Sequence, residues 1–126
     1  MPRRWSLALL LALASCRLTE VALVTVRNET GGPLAVRARL PGDPAFREDL
    51  ALQPAQESTL VKYEEPRHEA RALPSLVDGL KVEASGCVAT LEAPAVARAA
   101  VRTEQPRRWT VRVTPELLKS AGCAPR

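Results

Sequence analysis

The stretch TEVALVTVRNETGGPLAVRARL, residues 19–40, sets the class of the protein. Its first half is apolar on both faces, with Val21, Leu23 and Thr25 against Ala22, Val24 and Val26, which suits a central strand covered on both sides. Asn28 to Gly32 is a cluster of turn formers followed by Pro33. Leu34, Val36, Ala38 and Leu40 then alternate with Ala35, Arg37 and Arg39, the period of a half-exposed strand. The expectation is a hairpin built on the turn at residues 28–33.

The same pattern continues outward. Pro41 to Pro44 opens a loop, Leu50 and Leu52 alternate, Gln53-Pro54-Ala55-Gln56 turns, and Thr59 to Tyr63 supplies another strand. Glu64 to Asp78 is polar and irregular, with room for a turn of helix around Ala70. Leu80, Val82 and Ala84 form a strand, Ser85-Gly86 a turn, and Cys87 to Glu92 a returning strand with Cys87 facing the core. Ala95 to Val101 fits an Ala-rich helix or a strand, and Pro94, Val96 and Val101 tip the reading toward strand. Trp109, Val111 and Val113 mark the clearest late strand. Thr114-Pro115-Glu116 then has the form of an N-cap, a first-turn proline and an acidic first turn, opening a short helix to Ala121 that Gly122 ends. Seven or eight short strands and one terminal helix define an all-β protein, an antiparallel β-sandwich of immunoglobulin-like layout, with a small β-barrel as the alternative.

At 126 residues the chain has room for one domain. It contains no Ile, and Arg outnumbers Lys 15 to 3. That bias is what a GC-rich coding sequence produces, so abundant arginine is not by itself a functional signal.

Residues 1–15 have the form of a secretory signal peptide, with Arg3 and Arg4 ahead of an apolar run from Leu7 to Ala14. The run is about eight residues, against roughly 20 for a membrane-spanning helix. Leu13-Ala14-Ser15-Cys16 resembles the lipobox of bacterial lipoproteins. That resemblance implies cleavage before Cys16 and acylation of its sulfur, which makes the lipid bilayer the first partner; two or three acyl chains hold firmly where one holds marginally. It also implies sorting by the next residue: Arg17 is not the Asp that retains many lipoproteins at the inner membrane, so the periplasmic face of the outer membrane is expected in a Gram-negative host. Residues 16–18 form a short tether and residues 19–126 the single domain. The signal segment holds two of the 18 basic residues and none of the 14 acidic ones, so the formal charge falls from +4 to +2 on cleavage. With no concentrated basic motif, nucleic acid is not an expected partner.

If Cys16 carries lipid, Cys87 and Cys123 are the remaining thiols in an oxidising compartment and permit one pairing. A Cys87–Cys123 disulfide is the expectation; two free thiols, or a metal site lacking the usual short-spaced ligand pairs, are the alternatives.

Chemistry is scarce. His68 is the only histidine, and no nucleophile elbow, zinc-binding helix or phosphate-cradling glycine loop occurs. Residues 64–69, with Glu64, Glu65, His68 and Glu69, are the densest ionisable cluster, and a solvated loop explains them without a metal. No catalytic residue, cofactor or metal is expected. Arg98, Arg102, Arg107, Arg108 and Arg112 fall within fifteen residues, and those sharing a strand face would offer a basic patch to anionic head groups or an acidic partner. Trp109 beside them suits either the core or stacking on a sugar. The function expected is a non-catalytic, membrane-anchored envelope lipoprotein whose sandwich binds or supports an envelope protein. A glycan- or small-ligand-binding lipoprotein using Trp109, Arg107, Arg108 and Arg112 is the alternative, and a small enzyme or metal protein a more distant one.

Overall fold

The computed structural model describes residues 19–66, 76–103 and 108–123. Among these residues, eight strands and two short helices follow in the order β1 (Thr19–Asn28), β2 (Leu34–Arg39), β3 (Phe46–Leu52), β4 (Glu57–Pro66), β5 (Gly79–Ala84), β6 (Cys87–Glu92), α1 (Ala93–Ala99), β7 (Ala100–Arg102), β8 (Arg108–Val113) and α2 (Pro115–Ser120). They form two four-stranded sheets, ordered β4-β1-β8-β7 and β3-β2-β5-β6. The protein is a β-sandwich, and neither sheet closes into a barrel. Every pairing is antiparallel except that of β1 with β8, the first strand with the last, which run parallel from Leu23↔Arg108 to Asn28↔Val113.

Alternation places the core. Ala22, Val24, Val26, Val111 and Val113 face inward from one sheet, and Leu34, Val36, Ala38, Leu52, Leu80, Val82, Ala89 and Leu91 meet them from the other, all buried. In β4 the register slips so that Val61 opposes Val24 while Thr59 opposes Thr25. The extra residue, Leu60, lets two consecutive apolar side chains be buried.

The expected hairpin of residues 19–40 does not form: β1 and β2 lie in different sheets. The turn between them crosses the sandwich, and Asn28 holds the crossing. Its buried side-chain amide donates to the Gly32 carbonyl at 2.8 Å and to the Leu52 carbonyl at 3.1 Å, while its Oδ1 accepts from the Thr30 amide and hydroxyl at 2.9 and 2.7 Å. β2 pairs instead with β3 and β5.

Residues 95–101 also depart from the strand reading. Pro94 sits in the first turn of α1, where its missing N–H leaves no helical bond unmade, and Val96 is the buried residue of the helix. The strand begins only at Ala100. α2 forms as expected: the Thr114 hydroxyl accepts from the Leu117 amide at 3.1 Å, and Pro115 opens the helix. Gly122 closes it at φ 85°, a left-handed conformation that lets the Cys123 amide donate to the Leu118 carbonyl at 2.8 Å. Cys123 is thereby turned into the core and bonded to Cys87, 36 residues away along the chain, with Cα atoms 5.7 Å apart. The helical turn expected near Ala70 lies outside the described residues.

Candidate functional site

The arginines near the C-terminus gain their positions from β8 and its neighbours. Residues 109, 111 and 113 share a face with Val24, Val26 and Asn28 and look into the sandwich, so Arg108, Thr110 and Arg112 project from the outer face. Trp109 packs partly buried against the core. The structure thus separates Trp109 from Arg108 and Arg112, which lie on opposite faces of one strand. Arg107 and Cys16 lie outside the described residues.

On that outer face the charges meet across strands. Arg108 stands beside Leu23 and Glu57 beside Arg27, on opposite sides of β1. Their 3.0 Å ion pair therefore crosses β1 at Thr25. Beneath it the hydroxyls of Thr25 and Thr110 share a 2.9 Å hydrogen bond, and both residues are buried although they face outward. Arg112 holds Glu29 through two bonds, Nε at 2.7 Å and Nη2 at 2.9 Å. That pairing, with Arg27 nearby, keeps the Glu29 carboxyl below the ordinary range for glutamate. The Ala45 amide and the Arg47 guanidinium do the same for Asp43.

The other sheet carries one comparable cluster. Arg39 Nε donates to Asp78 at 3.2 Å and Nη2 to Glu92 at 2.6 Å, and the guanidinium lies 5.0 Å from the centre of the Phe46 ring. The Glu92 bond, the largest influence, raises the Arg39 pKa further.

α1, β7, β8 and α2 frame a cleft of about 450 Å³. Ala95, Ala99, Val101 and Leu117 give it apolar walls, while Arg98, Arg112 and Glu116 bring charge to it. Composition drew attention to Arg98 and Arg112, but the apolar partners were missed, because Val101 and Leu117 come together only when the helix, the strand and the second helix pack. A second cleft of about 490 Å³ opens at the β5–β6 turn, lined by Pro33, Ser85, Gly86, Cys87 and Val88 among others.

Among the described residues no group of three or more His, Cys, Asp or Glu side chains could hold a metal ion. Glu64 is exposed near the end of β4, and His68 and Glu69 lie outside the described residues. No described helix is long and apolar enough to cross a membrane. Searches of family models, curated proteins and solved structures found no match to this chain.

Proposed function

We propose that the protein is a non-catalytic envelope lipoprotein, anchored through acylated Cys16, whose β-sandwich binds or supports another component of the cell envelope. In a Gram-negative cell its place is the periplasmic side of the outer membrane. The carrying observation is the lipobox-like Leu13-Ala14-Ser15-Cys16, only Arg17 and Leu18 ahead of β1. At roughly 3.3 Å per residue, the start of the domain lies within about 10 Å of the anchor. The disulfide suits an oxidising compartment.

Labelling cells with a fatty-acid analogue tests the reading. Wild type should be labelled and processed, and Cys16→Ser should be neither. A processed but unlabelled wild-type protein overturns it. Binding of a glycan through Trp109 has less support, since that side chain packs against the core while Arg108 and Arg112 face the other way.

A further inference from the structure

The outer face of the β4-β1-β8-β7 sheet changes character along β1. Ala22, Val24 and Val26 point inward, so the outward positions are Val21, Leu23, Thr25 and Arg27. Apolar side chains thus stand at the Thr19 end of the strand and polar ones at the far end. Val21 is 41% exposed, and Leu23 is half-buried. β8 begins its pairing with β1 at Leu23, so among the described residues Val21 is paired on the β4 side alone. The charged neighbours on this face are Glu64 opposite Val21 and Lys62 opposite Leu23, both exposed, with Arg108 across Leu23 held by Glu57 at 3.0 Å. Lys62 and Glu64 offset one another, and the corner is left with its apolar character.

An exposed valine by itself requires no partner. What sets Val21 apart is its distance from the anchor: it is five residues beyond Cys16, so at roughly 3.3 Å per residue it lies within about 17 Å of that point. Arg27, six residues further along the same face, stands about 20 Å beyond it. Acyl chains fix Cys16 at the membrane surface, which brings a bilayer within reach of Val21 in every anchored copy. We propose that the domain rests on the membrane through this corner, with Val21 seated among the lipid head groups, Leu23 flanking it, and Thr25 and Arg27 raised into water. The inference rests on the anchoring proposed above and adds which face of the sandwich meets the lipid. The occupant follows from covalent reach, and the contact is apolar, so it does not depend on the charge of the lipid. The β3-β2-β5-β6 sheet then faces away from the bilayer and stays open to other envelope components.

The test places a nitroxide on the full mature chain in vesicles of phosphatidylcholine or phosphatidylglycerol, one site at a time: Val21→Cys, Glu64→Cys, Arg27→Cys and Thr90→Cys. With Cys16 acylated and Cys87 bonded to Cys123, the introduced thiol is the one open to the label. An intact mass about 2 Da below the reduced form reports that each variant has closed its disulfide. Labels at residues 21 and 64 should be shielded from a water-soluble nickel chelate and open to oxygen, several-fold relative to those at 27 and 90. The shielding should be alike on both lipids and persist in about 0.5 M NaCl. Equal access at all four sites, or shielding at residue 90 in place of 21 and 64, overturns the proposal. So does shielding on phosphatidylglycerol alone, which makes the contact electrostatic, and so does dipolar broadening between labels at residue 21, which puts a second copy of the chain on this face. Mass spectrometry of the same preparation reports the acyl groups: an acylated chain without shielding overturns the orientation alone, whereas a chain without acyl mass overturns the anchor as well.

Discussion

The guanidinium of Arg39 lies across Gly79: a Cβ at residue 79 would come within 3.0 Å of Arg39 Nη2 and 3.2 Å of the Leu91 carbonyl oxygen. Gly79 sits between Arg39 and Glu92 in the sheet register, so the absence of a side chain is what lets the arginine span from one to the other. Arg39 can swing away, but the Leu91 backbone cannot. Gly79→Ala should therefore detach Arg39 from Glu92 and lower stability by about 1–2 kcal/mol, read as a lower urea midpoint with unchanged slope. An unchanged midpoint would show that the sheet absorbs the methyl group.

Asn28 presents a second dependence on a single side chain. Asn28→Ala removes both amide donors from the buried crossing and leaves the Leu52 carbonyl without that bond. A loss of about 2–4 kcal/mol is expected, with faster hydrogen exchange at Thr30. Asn28→Asp should do at least as much damage, because it places an acceptor against two carbonyl oxygens and buries a charge.

The turn at residues 53–56 contains a removable strain. Gln56 donates to the Gln53 carbonyl at 3.0 Å, and Ala55 at the third position has φ 66°, a region that favours glycine. Ala55→Gly should raise stability by roughly 0.5–1 kcal/mol, the relief of left-handed strain less the extra freedom of the unfolded chain. A lower melting temperature would contradict this.

Breaking the bond between Cys87 and Cys123 frees the end of α2 from β6. The paired Cys87→Ser, Cys123→Ser variant should lose about 3–4 kcal/mol, as expected for a closed loop of this length. Intact mass under non-reducing conditions should be about 2 Da below that of the reduced wild type. Thiol labelling of the native, unreduced chain would count against the bond.

Acid should weaken the fold through Glu29 and Asp43. Both carboxyls titrate lower in the folded chain than their ordinary values of 4.5 and 3.8. Their contribution is present above those values and disappears as the pH falls through the lowered folded-state ones. Arg112→Gln removes the main partner of Glu29, so it should flatten part of the stability loss below pH 4.5 and change little of the pH dependence at neutral pH. An acid-denaturation profile identical to wild type would remove Glu29 from the account.

Much of this architecture was legible in the chain. Alternation at residues 34–38, 80–84 and 109–113 gave the strands and their inward faces, and Thr114, Pro115 and Gly122 gave the limits of α2. The hairpin expectation failed at Asn28 because turn chemistry is the same whether a chain doubles back within one sheet or crosses to another. What separates the two here is the bond to Leu52, distant in sequence. The reading of residues 95–101 failed at Pro94, which suits an edge strand and a first helical turn equally well. Trp109 and the arginines were close in sequence, but a period of two sends neighbours to opposite faces. The cleft needed packed helices before its walls could be named.

The parallel pairing of β1 with β8 gives the molecule an order in time as well as in space. β1 comes first along the chain, yet one edge of that strand has no partner until residues 108–113 arrive. The half of that sheet beyond β1 therefore waits for almost the last of the chain, and the loop to be closed is among the longest the sequence allows. A truncation just before Arg108 should accordingly leave a chain that fails as a unit, rather than a sandwich missing one strand.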